Sequence, residues 1–273
     1  MVTPAAAQPK IAMDGICVDF PTREGPLPVL ESINLYAMEG EFVSLIGPSG
    51  CGKSTLLNVI AGLQQPVSGS IRFDGHFAEN LLGKVAFMPQ KDLLMPWRTV
   101  LDNAILGLEI QGVSRREARE NAIALFDLFG LKGFENAYPA TLSGGMRQRA
   151  AFLRTVLTNR EILLLDEPFG ALDALTRSSM QEWLLELWGN LRKTIIFITH
   201  DVDEAVLLSD RVYALTARPA RVKLVREIDL PRPRHFEMVT SHDFVRHKQV
   251  LLAAIREETH RAAEMELAGG SRW

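Results

Sequence analysis

Along this chain, short and almost wholly apolar runs alternate with longer stretches in which apolar residues return every third or fourth position. EFVSLI at 41–46, EILLLD at 161–166 and TIIFIT at 194–199 are of the first kind, and they predict strands of a parallel sheet buried on both faces. Upstream, IAMDGICVDF at 11–20 and VLESINLYAM at 29–38 are separated by Pro- and Gly-containing breaks. Residues 10–46 therefore read as β structure, and SIRFDG at 70–75 and KVAFMP at 84–89 add two strands. TLLNVIA at 55–61 has helical character, with Gly62 as its C-cap. From Leu93 to Leu157 the pattern turns helical, as in VLDNAILGLEI and REARENAIALFDLF. Near the C-terminus, residues 243–267 place Phe244, Leu251, Leu252 and Ile255 on one helical stripe. That stripe either packs on its own domain or offers a dimer or regulatory contact. No internal repeat or low-complexity tract interrupts the pattern.

Composition narrows the class. With 273 residues, 47% hydrophobic and 23% charged, the chain can bury a full core as one large domain or two small ones. A formal net charge of −3 with scattered basic residues leaves no electrostatic footprint for nucleic acid. The opening MVTPAAAQPKIAMDG lacks an apolar run behind a basic start, which argues against an export signal. No stretch approaches the roughly 18 apolar residues of a membrane span. Two cysteines, Cys17 and Cys51, fit a reducing compartment without a disulfide framework. His235, His242, His247 and His260 lack the paired spacing of a metal site.

Chemistry gathers where strands end. Gly47-Pro48-Ser49-Gly50-Cys51-Gly52-Lys53-Ser54-Thr55 follows FVSLI and matches the phosphate-loop pattern in full. Gly50 and Gly52 let backbone N–H groups turn inward around phosphates, and the following helix aims its positive end at the same anion. Lys53 supplies a point charge to the β- and γ-phosphates of a nucleotide, and the Ser54 hydroxyl is placed to ligate Mg²⁺. Cys51 sits where a small residue is needed and reads as filler before it reads as a redox switch. Asp166 ends the ILLLD run, where a carboxylate can reach the metal. Glu167, next along, is placed to orient and deprotonate an attacking water. Gln90 follows KVAFM and His200 follows TIIFIT. In open α/β sheets ligands bind beyond the carboxyl ends of the strands, so these segments are expected to converge. Ser143, Gly144 and Gly145 open another helix in LSGGMRQR at 142–149, exposing free N–H groups and a hydroxyl to an anion.

In this order the motifs resemble the ATP-binding subunit of an ABC transporter, and the match runs from about Ile11 to Leu224. LSGGM is similar to the family signature, more often written LSGGQ, with Met146 at the departing position. The resemblance implies that Ser143, Gly144 and Gly145 address the γ-phosphate held by a second copy. It further implies that Gln90 contacts Mg²⁺ and the attacking water, that Asp173 lies at the dimer seam, and that His200 holds the γ-phosphate and helps position Glu167. It makes Phe20 the aromatic that stacks on adenine, although β alternation would also put a Phe there for packing. KDLLMPWRTVLDN, DEPFGALDALTR and THDVDEAVLLSDRV resemble the nitrate/sulfonate/taurine-type importer branch, some of whose members carry aromatic or pyrimidine-like solutes.

The expected fold is α/β: a phosphate-loop NTPase core of the ABC ATPase type, with an antiparallel β subdomain and a helical signature subdomain. Core segments are placed at 10–90 and 158–224, the helical subdomain at 91–157 and a C-terminal extension at 225–273. The expected function is ATP hydrolysis, with ATP and Mg²⁺ as cofactors, coupled to import of a small solute. Expected partners are a second copy of the chain, transmembrane permease subunits and, indirectly, an extracytoplasmic solute-binding protein, but no nucleic acid. The expected place is the cytoplasmic face of the membrane, held peripherally. A soluble ABC ATPase of DNA repair or translation usually carries a tandem cassette or a coiled-coil insertion, neither of which is present. An export ATPase shares the same cassette. A monomeric phosphate-loop switch or kinase leaves LSGGM and His200 unexplained. Met95, Pro96 and Trp97 form an apolar cluster that either anchors the permease or fills the helical subdomain.

Overall fold

The computed structural model describes residues 8–268, so the first residues of the opening segment and the last of the C-terminal extension lie outside it. In chain order the strands β1 (Ile11–Thr22), β2 (Gly25–Ala37) and β3 (Phe42–Ile46) precede helix α1 (Lys53–Ile60). Strands β4 (Ser68–Phe73), β5 (His76–Phe77) and β6 (Ala86–Met88) follow. Next come helices α2 (Val100–Ala104), α3 (Leu106–Ile110), α4 (Arg115–Phe126) and α5 (Gly144–Leu157). The chain continues through β7 (Ile162–Asp166), α6 (Ala174–Leu191), β8 (Thr194–Ile198) and α7 (Val202–Leu208). It closes with β9 (Arg211–Leu215), β10 (Val222–Glu227) and α8 (His242–Ala268). Chain packing divides these elements into two compact units, residues 1–83 with 193–273, and residues 84–192.

The first unit holds two sheets. Strands β2-β1-β4-β5 form an antiparallel layer in that order. In β1 the buried positions are Ile11 and Met13, then Ile16 and Val18. The change of phase coincides with a register shift between Met13 and Ile16, at Gly15 with φ +62°. A bulge re-aims the second half of the strand at the same core. The other sheet runs β10-β9-β3-β8, with β3 parallel to both β8 and β9 and β10 antiparallel at the edge. All residues of FVSLI, TIIFI and RVYAL are buried, as strands covered on both faces require. Each buried Val, Leu, Ile or Phe contributes about 1.5–3 kcal/mol of transfer free energy.

The second unit is mainly helical around α5, with a short parallel pair, β6 and β7. Its core centres on Phe129, Phe152 and Trp183: Trp183 meets the two Phe rings edge-on at 5.4 and 5.5 Å between centroids, and the Phe rings are tilted at 6.2 Å. The Arg149 guanidinium lies over Trp183 at 5.3 Å, a cation–π contact on a core aromatic. The helical stretch expected over 91–157 falls inside this unit. It is not continuous: residues 127–138 form turns between α4 and α5.

Helix α8 buries half of the predicted stripe, Phe244 and Leu251 at 0% exposure, leaves Leu252 and Ile255 half-buried, and packs on α7, β9 and β10. The reading in which the stripe packs on its own domain therefore holds. Two polar side chains also face inward, His247 and Glu258. Among the described residues no helix is long and apolar enough to cross a membrane.

Candidate nucleotide site

In the first unit, the loop from Gly47 to Gly52 joins β3 to α1. Gly50 and Gly52 have φ of +71° and +119°, the left-handed region that L side chains avoid. Space excludes a side chain at Gly52 as well. A Cβ there would stand 2.8 Å from Leu30 Cδ2 and 2.9 Å from Val29 Cγ1. Lys53 is 7% exposed and donates from Nζ to the carbonyls of Gly47 and Pro48, each at 2.9 Å. The ammonium is thus folded back over the loop, where it can meet an anion lying on the free N–H groups of the α1 terminus. Pro48 and Cys51 are buried, Ser49 and Ser54 are exposed, and Thr55 is intermediate. Burial pushes the Cys51 thiol up against the pull of Lys53. A neutral, buried thiol is filler rather than a reactive thiolate.

His200 belongs to the same unit. β3 and β8 pair with Leu45 opposite Ile198, and Thr199 N donates to Leu45 O at 3.3 Å. The phosphate loop and His200 therefore leave neighbouring strands at the same level. Thr199 Oγ1 donates to Glu204 at 2.5 Å and accepts from Asp201 N at 3.0 Å. Asp201 caps α7 through Asp203 N at 2.8 Å. This local network fixes the backbone on both sides of His200, whose side chain is exposed. Phe20 is 37% exposed near the end of β1, opposite Leu27, so its ring is not consumed by the core.

In the second unit, β6 and β7 pair with Met88 opposite Leu165. Two residues further on, Gln90 Nε2 donates to Glu167 Oε2 at 3.1 Å. Glu167 holds φ +44°, a left-handed conformation costing about 1–3 kcal/mol in a non-glycine residue. Asp166, one residue earlier, is 7% exposed at the strand end. A carboxylate with an amide beside it can orient a water and accept its proton.

Ser143 is the N-cap of α5 and accepts from Met146 N at 3.3 Å. The first turn carries no acidic residue, so its positive dipole end is not neutralised from within the helix and can face an anion. A Cβ on Gly145 would lie 3.0 Å from Thr176 Cγ2, and Thr176 N in turn donates to Asp173 at 3.0 Å. Asp173 caps α6 through that bond, which holds its carboxyl below the usual range.

The segment after Gln90 is fastened to α5. Arg154 donates to the carbonyls of Asp92 at 2.5 Å and Leu93 at 2.8 Å, while Arg147 bridges the Asp92 carboxylate at 3.4 Å. Asn103, fully buried, contacts Met95 O, Arg98 O and Thr99 O at 3.0–3.1 Å and accepts from Met95 N at 2.7 Å. The turn so held leaves Trp97 74% exposed and Leu93 60% exposed. Trp97 therefore does not fill the helical core, whose aromatic centre is Phe129, Phe152 and Trp183. Arg154 and Asn103 went unread in the sequence. Their only signal was a charged and an amide residue inside otherwise apolar helical faces.

The structure thus gathers Gly47–Thr55 and His200 at adjacent strand ends in one unit, and Gln90, Asp166 and Glu167 likewise in the other. Gly145 and Asp173 meet around Thr176. The sequence profile of the ABC transporter family matches residues 30–170. The chain is 45% identical to an uncharacterized ABC transporter ATP-binding protein of Methanocaldococcus jannaschii, over 91% of this chain and 92% of that protein. It is 43% identical to the formylaminopyrimidine import ATP-binding protein ThiZ of Halalkalibacterium halodurans, over 84% and 89%. It is also 43% identical to the aliphatic sulfonates import ATP-binding protein SsuB of Bacillus cereus, over 82% and 88%. Among solved structures it is similar to a dimeric ATP-binding cassette in a post-hydrolysis state bound to ADP and Pi. There the TM-score is 0.70 and the identity 30%, over 81% of this chain and all of that one.

Proposed function

This chain belongs to the ABC transporter family, and we propose that within it the protein is the ATP-hydrolysing subunit that powers import of a small solute through a separate membrane permease. The observation that carries this reading is the 3.1 Å bond between Gln90 and Glu167. It ties a carboxylate able to take a proton from water to the head of the segment that exposes Trp97, so one hydrogen bond joins the hydrolytic group to the stretch of chain that carries a protein-binding surface.

Gly47–Thr55 holds the phosphates through loop N–H groups and Lys53. Phe20 stacks on the adenine, and His200 steadies the γ-phosphate. Glu167 accepts the proton of the attacking water, oriented by Gln90. The hydroxyl of Ser54, the amide oxygen of Gln90 and the carboxylate of Asp166 are hard oxygen donors of the kind Mg²⁺ takes. When bound, Mg²⁺ supplies charge neutralisation at the β- and γ-phosphates. Ser143, Gly144, Gly145 and Asp173 serve the nucleotide of a second copy, making the working unit a homodimer. The dimeric cassette similar to this chain supports that assembly. The names of the import relatives support a small sulfonate- or pyrimidine-like solute; a nitrate-like solute, a peripheral place at the membrane and a solute-binding protein outside belong to the same proposal. Core segments at 10–90 and 158–224, a helical subdomain at 91–157 and a C-terminal extension at 225–273 complete the reading.

Reconstitution with its permease in vesicles tests it. The expected result is ATP-dependent solute accumulation that Lys53→Ala abolishes together with ATP binding. Accumulation in the opposite direction, or ATPase activity indifferent to any permease, would contradict it.

A further inference from the structure

Glu258 lies on α8, in the C-terminal extension, with its side chain 1% exposed. A carboxylate that deep must answer to specific donors. One of them is a backbone group far away in sequence: Ala217 N donates to Glu258 Oε2 at 3.0 Å. Lys223 Nζ at 2.7 Å and Arg261 at 3.2 Å hold the other oxygen. Burial pushes this carboxyl up, but the Lys223 and Ala217 bonds outweigh it and leave it below the ordinary range.

Ala217 lies in the turn between β9 and β10, which reaches the phosphate loop directly at its near end and through β2 at its far end. At the near end, a Cβ on Gly47 would stand 3.2 Å from the Cβ and the carbonyl oxygen of Leu215. At the far end, Ala220 N donates to Val29 O at 2.8 Å and Glu31 N to Ala220 O at 2.9 Å. The side chains of Val29 and Leu30 are those that fill the space beside Gly52. The same turn carries Arg218, whose charge is felt at Cys51 inside the loop. We propose that Glu258 is a positioning residue for nucleotide: through Ala217 it pins the 215–221 turn, which in turn fixes the Gly47 and Gly52 ends of the phosphate loop. The C-terminal helix then buttresses the ATP site from behind. This rests on the reading of Gly47–Thr55 as the nucleotide loop.

The test measures ATP affinity by titration calorimetry on the full chain, with melting temperature and steady-state kinetics alongside. Glu258→Ala is expected to weaken ATP binding about five- to tenfold, the loss of one hydrogen bond's worth of loop order. KM should rise with Kd and kcat fall less. Glu258→Gln keeps an oxygen for Ala217 N and should bind nearly as wild type does. Lys223→Met removes the ion pairs of Lys223 with Glu257 and Glu258 but leaves the Ala217 bond, and should lower the melting temperature without moving Kd. Unchanged affinity in Glu258→Ala overturns the proposal, as does Glu258→Gln falling as far as Glu258→Ala. Should Glu258→Ala not fold, Glu258→Asp, one methylene short of Ala217, decides: weaker binding in a folded protein supports the proposal and wild-type binding overturns it. A wild-type chain that binds no ATP would overturn the phosphate-loop reading as well, whereas wild-type binding with an indifferent Glu258→Ala removes only the role of Glu258.

Discussion

Gln90 and Glu167 face each other two residues beyond a matched strand pair, amide nitrogen to carboxylate oxygen at 3.1 Å. The β6–β7 register, Met88 opposite Leu165, dictates that meeting. The left-handed backbone at Glu167 keeps the side chain there. The carboxylate at this strand end is thereby tied to the chain segment that runs out to Trp97.

Glu167→Gln should separate binding from chemistry. The amide can still meet Gln90 but cannot take a proton, so turnover should fall about 10²–10⁴-fold while ATP affinity stays within a few-fold. Calorimetry beside a phosphate-release assay reads both quantities. Normal turnover in this variant would remove Glu167 from the role of base.

Ser143→Arg should spare ATP binding by the single chain and block its association. The substitution puts a bulky cation at the open end of α5 and removes a helix cap worth about 0.5–2 kcal/mol. In the Glu167→Gln background, light scattering with ATP should show a dimer that Ser143→Arg prevents. Dimerisation unaffected by Ser143→Arg would contradict a site completed by the second copy.

Trp97→Ala should leave folding intact, because a side chain 74% exposed leaves no core cavity. Melting temperature and basal ATPase should match wild type, while permease co-purification and transport fall. By contrast Phe152→Ala, in the aromatic core, should cost about 3–5 kcal/mol. A Trp97→Ala protein that transports normally would show that this exposed ring anchors nothing.

Acid should loosen the C-terminal helix. His247 is buried, and its Nδ1 accepts from Arg226 Nε at 3.0 Å, so the ring proton sits on Nε2 and faces Asp229 at 2.6 Å. Arg246 stands beside them. Burial lowers the His247 pKa despite Asp229, the His247 bond lowers that of Asp229, and Glu258 is lowered too. Groups depressed in the folded state bind more protons when unfolded, so stability is full above their unfolded pKa values and declines as pH falls through the folded ones. Melting temperature should drop from about pH 6.5 downward. His247→Gln, which can bond both neighbours without titrating, should flatten the upper part of that slope. An unchanged slope would assign the acid sensitivity elsewhere.

Much of this is legible in the sequence. FVSLI, ILLLD and TIIFI announce buried strands because nothing polar interrupts them for long. The phosphate loop is readable because its chemistry is backbone chemistry, set by glycines at fixed spacing. Helix α6, by contrast, puts apolar residues on several sides of ALTRSSMQEWLLELWGNL, and β9 and β10 carry no motif. The supporting polar residues were hidden for another reason. Glu258 meets a backbone group 41 positions away and Arg154 one 62 positions away, and no local pattern encodes such a meeting.

Helix α5 has Ser143 at its head and Arg154 most of the way along it, and its 14 residues span about 21 Å at 1.5 Å each. One stiff rod therefore presents the Ser143 cap at one end and grips the base of the Leu93–Trp97 surface near the other. A displacement of the tip would reach that surface through a single element, the way a lever delivers a stroke, with no chain of side-chain rearrangements in between.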